Sequence, residues 1–140
     1  MDKDAKSTSK CLGFRVTGYI VKDKEGAVVE KVYKPFRKLA EDQIPSIFVQ
    51  ILKSNGREEV NREALEFLKV KAMQMLDFFC NHNSRNITGS SLLIIVDNLS
   101  NKFDMRIIDI CSIKAYETTS ERDEGYITGL KSIISILEKL

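Results

Sequence analysis

The sequence predicts an α+β fold in which helices pack on antiparallel strands. Three observations carry that expectation. Two short apolar runs, Ser90–Val96 and Met105–Cys111, are joined by a stretch of turn formers, Asp97–Asp104. Two long segments, 61–80 and 123–140, repeat apolar residues at helical spacing. Near the start, apolar and polar residues alternate across a turn at Asp23-Lys24-Glu25-Gly26.

The first hairpin comes from that alternation. Phe14, Val16 and Ile20 alternate with Arg15, Thr17 and Tyr19, and Ala27–Tyr33 returns as the second strand. Gly13 and Gly18 within it mark a bulge or a close backbone approach. A short helix is expected from Glu41 to Lys53. Acidic residues open it, Pro45 sits in its first turn, and Ser54-Asn55-Gly56 ends it. Ile44, Ile47, Phe48, Ile51 and Leu52 share one face of that helix.

Asn61 caps a longer helix running to about Cys80, with the stripe Leu65, Leu68, Ala72, Met75, Leu76 and Phe79. Met73 and Met75 read as core fillers. Asn81–Asn86 is a polar loop into the central hairpin, whose two runs read as strands buried on both faces. Ser112–Ser120 reads as an exposed loop. The last helix runs from about Asp123 to Leu140 and buries Ile127, Leu130, Ile134 and Leu137, joined by Tyr126 and Ile133. Gly125 and Gly129 lie four apart on it. Each weakens a helix by about 1 kcal/mol, so another backbone is expected to pack closely there.

Composition bounds the function. A chain of 140 residues, 43% hydrophobic and 30% charged, is one domain, 1–140, or part of a larger one. A net charge of +2 gives no nucleic-acid footprint. No run of about 18 apolar residues offers a membrane span. The charged stretch Met1–Lys6 lacks the apolar core of a secretory signal. Cys11, Cys80 and Cys111 are three and widely spaced, which argues against a zinc site or a disulfide framework. They suit a reducing compartment, cytoplasmic or nuclear. The glycosylation patterns at Asn86 and Asn98 are then chance matches.

One residue stands out chemically. Asp109 interrupts Ile107-Ile108-Asp109-Ile110, and strand periodicity puts it on one face with Ile107 and Cys111. A carboxylate there needs a partner, which a metal ion, a basic side chain or backbone N–H groups would each supply. A magnesium ion would suit it, since that ion prefers carboxylate oxygen and keeps phosphates as further ligands. The alternative is an Asp at a strand end, capping the next turn. No phosphate-binding glycine loop, nucleophile elbow or zinc-protease motif is present. His82, the single histidine, has no partner at triad or metal spacing. Lys6, Lys10, Arg15, Lys34, Arg37, Lys38, Arg106 and Lys114 read as solvated surface charges.

Four blocks in order, Leu12-Gly-Phe-Arg-Val-Thr-Gly18 after Ser7-Thr-Ser9, Ser90-Ser-Leu-Leu93, Ile108-Asp-Ile110, and Asp123-Glu-Gly-Tyr-Ile-Thr-Gly-Leu130, resemble the inositol polyphosphate kinase family. Tyr33 through Leu39 to Gly56 resembles its hexakisphosphate kinase branch. The resemblance implies the C-terminal lobe of a protein-kinase-related fold. It also implies transfer of the γ-phosphate of ATP to an inositol phosphate with Mg2+. Asp109 then matches the family's metal-binding Asp. Ser90 and Ser91 match its Ser-Ser-Leu-Leu block, near the metal, while Arg15 and Lys114 are weaker candidates for phosphate contacts. No catalytic residue is assigned within the chain. ATP, an inositol phosphate and an N-terminal lobe of the same protein are the implied partners, with no nucleic acid and no membrane.

The chain also departs from the family. Ile110 stands where the family has Phe, and Ser112 where it has His or Lys. The Pro-x-x-x-Asp-x-Lys-x-Gly motif is absent, since neither Pro35 nor Pro45 is followed by it. The lobe that clamps ATP with its Lys is expected to lie outside these residues. Two readings follow: part of an active kinase, inactive alone, or a noncatalytic remnant that keeps the fold as an interaction module.

Overall fold

Asparagine side chains knot one end of the fold together. In a computed structural model, which describes residues 13, 14, 16–33, 41–82, 85–88, 90–110, 112–115 and 123–140, two turns and a helix start meet there. The turn at 54–56 follows helix α1, Ile44–Leu52. Asn61 opens helix α2, Arg62–Asp77. The turn at 98–101 joins strands β4, Ser91–Asp97, and β5, Lys102–Ile108. Asn98 Nδ2 reaches the Ser54 carbonyl at 2.9 Å and the Leu52 carbonyl at 3.2 Å. Asn61 Nδ2 donates to Asn98 Oδ1 at 2.7 Å, while its own Oδ1 accepts from the N–H groups of Glu63 and Ala64. Asn61 is 4% exposed, so these bonds satisfy a buried amide that would otherwise cost about 1–3 kcal/mol.

Strands β1, Gly18–Lys22, and β2, Val28–Tyr33, form the first hairpin, turning at Asp23–Gly26. Its inward face differs from the alternation read in the sequence. Phe14, Val16 and then Tyr19 pack on the core, whereas Ile20 is 48% exposed. The phase slips by one residue across Thr17 and Gly18, where glycine tolerates the irregularity. Tyr19 donates from its hydroxyl to Glu30 at 2.8 Å. Desolvation, then that bond and the Glu30 charge, push its phenol above the usual range.

Both central helices follow their stripes. Helix α1 buries Ile44, Ile47, Phe48 and Leu52 after a 3-10 turn at Glu41–Gln43. Helix α2 buries Ala64, Leu65, Leu68 and Ala72, then widens into a π-helical turn, Phe78–His82, that seats Phe79 at 0% exposure. Met75 packs against the core as expected. Met73 does not: it is 46% exposed, beside Val70 on the outer face. Its position in the helix turns it away from the stripe, and thioether flexibility does not overcome that direction.

The central hairpin pairs antiparallel, with Ser91 opposite Ile108 and Asp97 opposite Lys102. Leu92, Ile94 and Val96 face the core with Met105, but Leu93 and Ile95 are 41% and 47% exposed. The strands are therefore buried on one face, not both. Two further strands lie where loops were expected. β3, Arg85–Thr88, pairs antiparallel with β6, Ser112–Ala115. Residues 116–120 of the expected loop lie outside the described residues. Helix α3, Glu124–Glu138, closes the core with Ile127, Leu130, Ile133, Ile134 and Leu137. Among the described residues the strands form three two-stranded sheets, and no helix is long and apolar enough to cross a membrane.

Candidate functional site

β3–β6 and β4–β5 are consecutive antiparallel pairs, with β3 followed in the chain by β4 and β5 by β6. Thr88 pairs with Ser112 and Ser91 with Ile108. Two residue numbers, 89 and 90, lie between the pairs on one side; three, 109 to 111, lie on the other. The register therefore slips by one residue, as at a β-bulge, and such slips re-aim side chains next to functional sites.

Asp109 stands at the slip. β5 ends at Ile108, and Asp109 takes a left-handed backbone, φ 54°, which Asp tolerates better than a branched residue. It is exposed. The expectation that it shares a strand face with Ile107 and Cys111 is thus corrected, because the chain leaves strand geometry before reaching it. The burial cost that singled Asp109 out in the sequence does not arise. What remains is an accessible carboxylate at a fixed irregularity, at the end of a core strand.

Ser91, opposite Ile108, lies one register step from Asp109, so the structure does bring these two candidates together. Ser90 is engaged otherwise. Its hydroxyl forms a short hydrogen bond with the Tyr126 hydroxyl. The Tyr126 ring stacks on Phe79 with centroids 4.6 Å apart and planes 5° from parallel. Burial pushes the Tyr126 phenol up and the Asp123 charge adds to this, against the bond to Ser90. Asp123, 4% exposed, caps α3 by accepting from Tyr126 N at 3.2 Å, and takes the Ile87 N–H at 2.9 Å with its other oxygen. Asp123 and Tyr126 thus fasten the start of α3 to both strands that flank the slip. The sequence placed the start of the last helix at about Asp123; it gave no sign of the Tyr126–Ser90 bond, which depends on tertiary packing.

Arg15 lies outside the described residues. Lys114 belongs to β6 opposite Asn86, and its side chain lies outside the described residues. His82 sits on the surface, Nε2 3.4 Å from Asp77 Oδ2. Among the described residues, no three His, Cys, Asp or Glu side chains cluster as a metal site. A half-open groove of about 1360 Å³ lies between β1 and β4, over α1 and α3; Ser90 and Ser91 line it and Asp109 does not.

Comparison with known proteins now places the chain. A profile of the inositol polyphosphate kinases matches residues 1–138. The chain is 29% identical to inositol hexakisphosphate kinase 3 of Mus musculus and of Homo sapiens. All of it aligns, with 41% and 42% of those proteins. It therefore spans about two fifths of the length of these curated relatives. Among solved structures, an inositol phosphate multikinase superposes with a TM-score of 0.84 at 20% identity, over 98% of this chain and 66% of that one. The S. cerevisiae multikinase, solved in complex with ADP and Mn2+, superposes with a TM-score of 0.74 at 15% identity, over 98% and 67%. These likenesses confirm the protein-kinase-like α+β fold. With the profile covering almost every residue, the chain belongs to the inositol polyphosphate kinase family.

Proposed function

We propose that these residues are the C-terminal part of a catalytic domain that moves the γ-phosphate of ATP to an inositol phosphate with Mg2+. The observation that carries this reading is the exposed Asp109 held at the register slip. The fit to a divalent ion is partial and chemically sensible: one accessible carboxylate, with no second acidic ligand clustered beside it among the described residues. Magnesium usually takes one or two carboxylates and completes its shell with water and substrate phosphates. When bound, the ion would supply positive charge to offset the charge that develops during phosphoryl transfer. Asp109 would hold it, and the slip would fix the direction of the carboxylate. Ser91 would offer a hydroxyl beside it, and Ser90, tied to Tyr126, would keep the strand start in place. Arg15 and Lys114 remain proposed phosphate contacts. The Mn2+ and ADP of the yeast neighbour, and the names of the mouse and human relatives, support this choice of metal, nucleotide and acceptor class.

An upstream lobe of the same protein would supply the ATP clamp, and a cytoplasmic or nuclear setting would suit the three cysteines. The 140 residues alone are expected to turn over poorly, because phosphoryl transfer depends on positioning shared across the site. Two measurements test the proposal. Radiolabelled ATP with a panel of inositol phosphates should give no robust turnover from this chain by itself. Titration with Mn2+ should broaden the NMR signals of residues 107–110 first, and Asp109→Asn should abolish that selectivity while the rest of the spectrum stays. Broadening that ignores Asp109 would favour the noncatalytic reading, to which Ile110 and Ser112 already lean.

A further inference from the structure

The turn at 54–56 carries the chain's one asparagine followed by glycine, Asn55-Gly56. That pair is chemically labile. The Gly56 nitrogen can attack Asn55 Cγ, forming an N–Cγ bond and expelling the side-chain nitrogen as ammonia, with the Gly56 amide proton. Water then opens the cyclic imide at either carbonyl and leaves aspartate or isoaspartate. The fold opposes the first step. Asn55 has a φ of 63°, in the left-handed region where ψ is about +30 to +60°. At such a ψ the Gly56 nitrogen lies opposite Cβ across the Cα–C bond, out of reach of Cγ. Asn55 N donates to the Lys22 carbonyl at 2.7 Å. The side chain is held by both polar atoms. Nδ2 donates to the Asp23 carbonyl at 3.0 Å, and Oδ1 accepts from Asn98 N at 3.2 Å. A Cβ built on Gly56 would lie 2.6 Å from Lys24 Cγ, so the Lys24 side chain covers the glycine.

We propose that Asn55 is a fold-gated deamidation site, converted only when the end of β1, the end of α1 and the 98–101 turn have come apart. Turning ψ of Asn55 to the attacking angle displaces Gly56 and then Arg57, whose N–H donates to the Lys53 carbonyl at 3.1 Å. Aiming Cγ at the nitrogen also breaks both side-chain bonds. Conversion then works against reclosure. A carboxylate at position 55 has no hydrogen to give the Asp23 carbonyl, so two acceptors face each other where a hydrogen bond stood. The Asp23 carboxylate, which accepts from the N–H groups of Glu25 and Ala27, adds like charge nearby. Isoaspartate also lengthens the main chain by a methylene. That shifts the spacing between the residue 55 amide, tied to Lys22, and the Arg57 amide, tied to Lys53. The modification therefore records an opening of the knot and prolongs it. It needs only water, and it stands independently of the role proposed for Asp109.

Incubating the 140-residue protein in warm, mildly alkaline buffer tests the gate. Peptide mapping by mass spectrometry follows residue 55 separately from Asn83-Ser84, the next most labile pair. Conversion at Asn55 should run at least about tenfold slower in native buffer than in denaturing urea, because only the open fraction reacts. Asn98→Ala, which leaves the Ser54 and Leu52 carbonyls unpaired, should speed native conversion by about tenfold or more. Asn101→Gly should leave the rate unchanged. In the unaltered protein, sub-denaturing urea should raise conversion in step with hydrogen exchange at the Asn55 amide, a readout that does not depend on any variant folding. Converted protein, separated by ion exchange, should melt several degrees lower and lose protection at that amide. Equal rates in native buffer and in urea overturn the proposal, as does no conversion at Asn55 even in urea. Converted protein that keeps its melting temperature and its amide protection overturns it equally.

Discussion

Gly13 and Gly129 meet backbone to backbone. A Cβ built on Gly129 would lie 2.9 Å from the Gly13 carbonyl oxygen, and one built on Gly13 would lie 2.6 Å from Gly129 N. Gly13 also has a φ of 78°, which favours glycine. The chain entering β1 therefore crosses α3 at a distance no side chain permits. Gly129→Ala should destabilise the protein by about 1–3 kcal/mol, since overpacking here outweighs the gain in helix propensity. Gly125→Ala is the control. Its Cβ would meet only the Asp123 side chain, at 3.5 Å, so helix propensity should raise stability by up to about 1 kcal/mol. Urea midpoints of the two variants should move in opposite directions.

Asn98→Ala should cost more than Asn101→Ala. Asn98 Nδ2 satisfies the Leu52 and Ser54 carbonyls, and its Oδ1 accepts from Asn61. Asn101 lends one weaker bond to Asn61, at 3.3 Å, and one exposed bond to Glu63. A loss of about 2 kcal/mol or more is expected for Asn98→Ala, because buried groups are left unpaired. Asn101 has a φ of 56°, so Asn101→Gly is the cleaner comparison and should be nearly neutral. Chemical denaturation of the three variants decides the order.

Met73→Ala should leave the melting temperature within about a degree or two, as expected for an exposed position. Leu68→Ala, at a site with 0% exposure, should cost about 2–5 kcal/mol. Similar losses at both positions would mean that the outer face of α2 is covered in solution.

Stability should fall at both ends of the pH scale. The bonds from Ser100 hold the Asp97 carboxyl below its usual range, and Arg106 with the Met105 N–H does the same for Asp104. A depressed carboxyl stabilises the fold above the unfolded value and loses that contribution as pH falls through the folded one, so the acid limb lies below 3.8. Tyr19 and Tyr126 are raised above 10.0, so the neutral phenols stabilise the fold at lower pH and that contribution fades as pH climbs past 10.0. Absorbance at the tyrosinate band should show both ionising later than free tyrosine. Tyr126→Phe should remove one of the two late steps.

Much of this could be read in the residues because the physics was local. The apolar stripes of α1, α2 and α3, the Asn61 cap and the β4–β5 hairpin follow from spacing and turn chemistry. Gly129 could be read too, because a glycine inside a helix is costly without a reason. The failures share a different cause. β3 and β6 are short, and their pairing joins residues far apart in sequence, which no local pattern reveals. Ile20 and Tyr19 exchange faces because of a one-residue slip at Gly18. Asp109 drew notice as a carboxylate that a strand should bury, yet the structure exposes it. The burial argument for that residue fails, because the chain leaves strand geometry before reaching it.

The slip at Asp109 rests on a count, three residues facing two, more than on which residues they are. Substitutions between 109 and 111 leave that count alone. Loss of a single codon there would equalise the two sides, let the ladder run unbroken from β5 into β6, and erase the irregularity that sets the direction of Asp109. This stretch should therefore tolerate many changes of letter and almost no change of length.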